Sequence, residues 1–188
     1  MNPILLNIPS EFTTERLLIR MPLPGDGKAV HKAINASLPE LKPWMIFAQK
    51  EQSEQDIEAN IRQAHADYLS RKDLRLLVFL KASGEFIASS GLHKVDWSIR
   101  KFEIGYWIDS RHSGKGYITE AVQGITDFAI KELNARRIEI RCDANNVKSR
   151  AIPERLGFAL EGILKNNGKA VNSDQLIDTC IFAKIIKE

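Results

Sequence analysis

One segment limits the folds open to this 188-residue chain more than any other. Phe102 to Ile108 is an apolar run of strand length. Tyr117 to Leu133 carries Ala121, Val122, Ile125, Phe128, Ala129 and Leu133 at helical spacing. Arg136 to Ala144 then alternates, with Ile138, Ile140 and Cys142 on one side. A long helix between two strands of one sheet is a crossover, and a crossover makes its strands parallel. Immediately upstream, Leu74 to Lys81 and Phe86 to Val95 are joined by the tight turn Ser83-Gly84-Glu85. Three successive strands argue for antiparallel pairing, so the sheet is mixed.

The remaining punctuation completes the order. Arg16 to Met21 reads as a strand ended by Pro22, Pro24 and Gly25, with Asp26 as the cap of a helix whose stripe is Ala29, Val30, Ala33, Ile34 and Leu38. A proline-broken stretch holds Trp44, Met45, Ile46 and Phe47. Ser53 opens a second helix with Ile57, Ile61, Ala64 and Tyr68 on one face. A short helix over Lys148 to Leu156 precedes two last strands, Phe158 to Leu164 and Leu176 to Ile186, joined by a polar loop. The order β-α-α-β-β-β-α-β-α-β-β predicts an α/β (α+β) fold: a mixed, mostly antiparallel central sheet with helices on both faces. The length fits one domain, residues 1–188.

Composition excludes several classes. Hydrophobic residues make up 44% and charged residues 27%, enough for a packed core. The net charge of +3 is too mild for a nucleic-acid partner. No run reaches the roughly 20 apolar residues of a membrane span. The N-terminal patch from Met1 to Phe12 is interrupted by Pro3, Asn7 and Pro9 and has no basic leader, so a signal peptide is not expected. Cys142 and Cys180 fall in apolar strands, which fits core packing in a reducing cytoplasm. His31, His65, His93 and His112 lack metal-ligand spacing, so no metal site is expected.

Chemistry concentrates where the crossover begins. After the strand comes Arg111-His112-Ser113-Gly114-Lys115-Gly116, then the helix starting at Tyr117. A helix N-terminus presents unpaired N–H groups and a partial positive charge. Gly114 and Gly116 admit a ligand oxygen close to the backbone, and Arg111 and Lys115 add charge. A magnesium-dependent phosphate loop needs Ser or Thr after Gly-Lys, and here Gly116 follows. A dinucleotide fingerprint needs a third glycine where Thr119 stands. The residues fit a metal-free pyrophosphate, or a glycine turn that binds nothing.

Together with Glu103-Ile-Gly-Tyr-Trp-Ile108 before it and Tyr117-Ile-Thr-Glu-Ala121 after it, this block resembles the acetyl-CoA site of the GNAT superfamily. Asn146 to Phe158, with Ser149 and Gly157, resembles the superfamily's next CoA-contacting segment. Thr14 to Arg20 and Leu41 to Trp44 resemble the RimJ/RimL branch, which acetylates the N-termini of ribosomal proteins. The resemblance implies an acyltransferase that uses acetyl-CoA as co-substrate, a protein N-terminus or a small amine as acceptor, and a monomer or homodimer. A CoA-binding sensor without catalysis is the alternative from another class.

The resemblance also implies roles. The strand ending Trp107-Ile108 would splay from its parallel neighbour to admit the pantetheine arm, and the Ile108 N–H would meet the thioester oxygen. The amides from His112 to Tyr117 would take the pyrophosphate, and Asn146 would steady the pantetheine. Ser149 would act near the sulfur where many relatives use a tyrosine, or it caps a helix. Glu103 would be the general base, or a strand carboxylate paired with a nearby cation. Trp44 and Phe47 would line the acceptor groove, or cover the core. Some relatives carry a base glutamate where this sequence reads Lys165-Asn166-Asn167-Gly168. Asp178, further on, would orient that loop or bind the amine.

Overall fold

The computed structural model describes residues 2–187, so Met1 and Glu188, the ends of the expected domain, lie outside it. Eight strands form one sheet: β1 Glu11–Thr13, β2 Leu17–Arg20, β3 Leu74–Leu80, β4 Phe86–Asp96, β5 Lys101–Ile108, β6 Arg137–Asp143, β7 Ala159–Lys169 and β8 Leu176–Ile185. Their spatial order is β1-β2-β3-β4-β5-β6-β8-β7, and only β5 and β6 pair in parallel. The helices are α1 Gly27–Ala36, α2 Leu38–Leu41, α3 Glu54–Leu69, α4 Tyr117–Leu133 and α5 Val147–Arg155.

Two apolar layers cover the sheet. On one face the α4 residues Ala121, Val122, Ile125 and Phe128 pack on Leu76, Val78, Leu92, Ile104 and Ile140. On the other, Val30, Ile34, Ile57 and Ile61 of α1 and α3 pack on Leu77, Phe79 and Trp107. Alternation along each strand produces this division, because successive side chains of a strand take opposite faces.

Several elements differ from the sequence reading. β1 was not expected; it is three residues long, too short to show a period. Leu38 is not the end of the first helix but opens α2, because Pro39 at its first turn starts a new helix. Asp26 makes no side-chain cap bond. Its carboxylate instead takes Arg20 through both terminal nitrogens, at 2.8 and 2.7 Å, and accepts the Leu23 N–H at 2.7 Å. The expected polar loop after Leu164 is mostly strand: β7 runs to Lys169, paired with Leu176 of β8.

Candidate active site

The crossover creates an opening in the sheet. β4 and β5 stay paired from Ala88↔Ile108 back to Asp96↔Lys101. β5 and β6 pair only through Lys101↔Arg137, Phe102↔Ile138 and Glu103↔Glu139. Beyond Glu103 they diverge, while β6 stays with β8 as far as Asp143↔Thr179. Asp109 donates its N–H to the Ile87 carbonyl at 2.8 Å. The alternation of an antiparallel ladder therefore turns the N–H groups of Tyr106 and Ile108 away from β4 and into the gap. A cavity of about 610 Å³ runs from this gap across the sheet to the α1–α3 side.

At the end of β5 the chain is braced from beneath. Asp109 is fully buried. Its carboxylate accepts the Arg111 backbone N–H at 3.0 Å and the Arg111 Nε at 2.9 Å, and pairs with Nη2 of the same side chain. The Arg111 guanidinium is thus folded back on its neighbour. The amide track is also shorter than expected. His112 donates its N–H to the Asp109 carbonyl at 2.9 Å and Ser113 to the Ser110 carbonyl at 3.1 Å, which closes a short 3-10 turn. The amides of Gly114, Lys115, Gly116 and Tyr117 have no backbone acceptor among the described residues. Gly114 and Gly116 have φ of 77° and 80°, the left-handed region that turns these amides outward at the start of α4.

A further cation at this turn is Arg16, just before β2, itself paired with a carboxylate. Its Nε donates to Glu120 at 2.6 Å, its Nη1 donates to the Lys115 carbonyl at 3.1 Å, and its guanidinium lies 4.5 Å from the Tyr117 ring centre. Glu120 also accepts the Thr14 hydroxyl at 2.6 Å and the Arg16 N–H at 2.8 Å. Burial opposes ionisation of Glu120, but these donors outweigh it and hold the carboxyl below its usual range. Sequence reasoning passed over Arg16 because its target lies 104 residues away.

Ser149, Asn146, Cys142 and Tyr106 meet at the wall of the gap. The Asn146 side chain caps α5 by accepting the Ser149 N–H at 3.1 Å. The Tyr106 hydroxyl donates to the Ser149 carbonyl at 2.8 Å and lies 3.4 Å from the Ser149 hydroxyl. Burial holds the Tyr106 phenol well above its ordinary pKa and pushes the Cys142 thiol up to about 11, so both stay protonated at neutral pH. Tyr106 and Cys142 were missed as site residues. Cys180 is fully buried as expected, whereas Cys142 is half-buried and faces the cavity.

Glu103 lies at the point of the divergence. Lys94 Nζ donates to its two oxygens at 3.1 and 3.0 Å, and Arg141 Nε stands 3.6 Å away. It is not among the residues that line the cavity, and neither is Asp178. Asp178 accepts Lys165 Nζ at 2.8 Å and the Asn166 N–H at 3.0 Å, which keep its carboxyl below its ordinary pKa and tie β8 to β7. Trp44 and Phe47 do line the cavity, on the α1–α3 side, where Phe47 packs against Trp107 with ring centres 5.9 Å apart. Arg75 and His93 reach the same end from β3 and β4. Among the described residues no cluster of His, Cys, Asp and Glu could hold a metal ion, and no helix is long and apolar enough to cross a membrane.

Known proteins are similar to this chain in sequence and in fold. The sequence model of the acetyltransferase (GNAT) domain matches residues 16–159. YdaF of Bacillus subtilis, described provisionally as a ribosomal N-acetyltransferase, is 35% identical over 79% of this chain and 80% of its own length. The ribosomal-protein-serine acetyltransferase of Escherichia coli is 28% identical over 76% of each chain. The solved RimL, a ribosomal L7/L12 alpha-N-protein acetyltransferase in complex with coenzyme A, superposes with a TM-score of 0.85. It is 22% identical, and the match covers 95% of this chain and 97% of RimL. The chain thus belongs to the acetyltransferase (GNAT) family, and by that membership it is an N-acetyltransferase.

Proposed function

We propose that the protein transfers the acetyl group of acetyl-CoA to the N-terminal amine of a protein, by direct attack within a ternary complex. One observation carries the donor side of this reading. The gap between β5 and β6 is edged by the outward N–H groups of Tyr106 and Ile108, and it meets the unspent amides of Gly114 to Tyr117. A thioester on a long amide-bearing arm with a pyrophosphate at its far end matches such a track. The amides and Arg16 hold the pyrophosphate, and the edge of β5 pairs with the arm. The thioester oxygen accepts from Ile108 or its neighbour Tyr106, and the same N–H holds the oxyanion when the amine attacks. Asn146, Ser149 and the protonated Tyr106 surround the sulfur, where their hydroxyls hydrogen-bond the leaving thiolate. Glu103, ion-paired at the point of the gap, sets the local field and the spacing of the strands.

The acceptor side supports a chain end. Its mouth lies between Trp44 and Phe47 on one side and Ala170, Val171 and Ile177 on the other. Asp143 is the only carboxylate among the lining residues, and it accepts the Asn145 N–H at 2.8 Å. Arg75, Arg141 and His93 line the same cavity, a setting that repels a polyamine. The names of YdaF, the Escherichia coli enzyme and RimL support a ribosomal-protein type of acceptor. Thiol release from acetyl-CoA with peptides bearing free N-terminal Ser or Ala, beside spermidine, an amino sugar and free amino acids, tests this. Turnover of the peptides is expected. Turnover of spermidine alone overturns the acceptor, and CoA binding without turnover of anything favours a sensor.

A further inference from the structure

We infer that His93 is the general base that deprotonates the acceptor amine, with Asp73 as its positioning residue; the inference rests on the transferase reading above. His93 lies on β4 directly across from Glu103, on the face that carries Gly105 and Trp107. Its Nδ1 is 2.7 Å from Oδ2 of Asp73, in the turn that leads into β3. That bond fixes the ring and leaves Nε2 as the nitrogen free to exchange a proton. Nε2 has no protein partner among the described residues.

The floor beneath the ring is made of glycine. A Cβ at Gly105 would stand 3.4 Å from Cδ2 and 3.7 Å from Nε2 of His93. A Cβ at Gly91 would stand 3.1 Å from Cε1, and 2.7 Å from the Arg75 backbone. The imidazole therefore takes space that side chains at Gly91 and Gly105 would otherwise fill. Its Nε2 edge rests over Gly105, between Ile104 and Tyr106, which line the gap. The β4–β5 register shifts just past His93, and in that irregular stretch Lys94, at φ 45°, reaches Glu103. The irregularity that follows His93 thus brings Lys94 onto Glu103, the alternative base. Arg75 and Arg141 are the cations that share the cavity, and Asp73, Glu103 and Lys94 complete the charged groups facing the imidazole.

The other candidates are committed. Glu103 is held by Lys94 and lies outside the cavity wall, Asp143 is turned to its own loop, and Cys142 and Tyr106 remain protonated. The steps balance as follows. The acceptor ammonium gives one proton to Nε2, directly or through one water, and Asp73 stabilises the imidazolium. The freed nitrogen lone pair forms the carbon–nitrogen bond, and the tetrahedral intermediate collapses with loss of the carbon–sulfur bond. The second nitrogen proton goes to the thiolate, and His93 returns its proton to solvent.

The test is the pH dependence of kcat/KM for a peptide with a free N-terminal serine, with CoA binding followed by calorimetry. Wild type is expected to lose activity on the acid side. His93→Gln should lower kcat/KM by about 10²- to 10⁴-fold while CoA binds as before. His93→Ala should recover activity when imidazole is added to the buffer. Asp73→Asn should lower kcat several-fold with the peptide KM unchanged, and Asp73→Glu should restore it. Glu103→Gln should leave the acid-side loss in place. Activity of His93→Gln within about threefold of wild type, or an unchanged kcat in Asp73→Asn, overturns the assignment. A wild type that turns over no amine overturns the transferase reading itself and the base with it.

Discussion

The two ends of the cavity are built from different material. The end we assign to the donor is mostly backbone: the diverging edge of β5, the amides of Gly114 to Tyr117, and a helix start pinned from beneath by Asp109 and from the side by Thr14, Arg16 and Glu120. The end we assign to the acceptor is mostly side chain: Trp44, Phe47, Arg75 and His93 from four different segments. Backbone recognition depends on φ and strand register and tolerates side-chain change. Side-chain recognition can be retuned one residue at a time.

The division gives substitutions with separable effects. Gly116→Val should act most strongly on the donor end. A β-branched residue at φ 80° costs on the order of 1–3 kcal/mol, and its Cβ stands 3.4 Å from Arg16 Nη2. CoA affinity by calorimetry should fall about 10- to 100-fold, with any residual kcat unchanged in its pH profile. Arg16→Gln removes a charged donor beside the glycine turn and should cost about tenfold in CoA affinity, a loss that shrinks at high salt. Ser149→Ala with Tyr106→Phe should leave CoA affinity intact and lower kcat several-fold. Trp44→Ala should raise the peptide KM a few-fold and leave CoA binding alone. A change in CoA affinity from Trp44→Ala would erase the distinction between the two ends.

The smallest effect is a pH effect on the donor end. Glu120, Asp109 and Glu139 have folded-state pKa values below their ordinary ones, because their arginine and hydroxyl partners outweigh burial. Such groups contribute stability that is fully present above the unfolded pKa and lost as pH falls through the folded one. For Glu120, with an ordinary value of 4.5, the loss begins below about pH 5. Thermal melts should fall in that window, and Glu120→Gln should flatten part of the slope.

The crossover from Phe102 to Ala144 was legible because a 17-residue helical stripe between two apolar runs leaves little choice of arrangement. β1 and the far half of β7 were not. β1 has three residues, and Lys165 to Lys169 is nearly all exposed and polar, so no period marks it. The glycine turn was found from local spacing alone, yet which of its N–H groups are free depends on the 3-10 turn that Asp109 organises. Arg111 is near the glycine turn in sequence and folds back on Asp109, whereas Arg16 is near that turn only in space. His93 was weighed only for metal-ligand spacing. Its partner Asp73 lies 20 residues away, and only the β3–β4 hairpin brings them together.

The central claim is that the gap between β5 and β6 and the amides of Gly114 to Tyr117 together hold one CoA molecule. Calorimetric titration of the wild-type protein with CoA, without added divalent metal and beside Gly116→Val, tests it most directly. One molecule bound per chain, with affinity lowered at least about tenfold by the substitution, is the predicted result. No binding heat, or equal affinity in the two proteins, would contradict it.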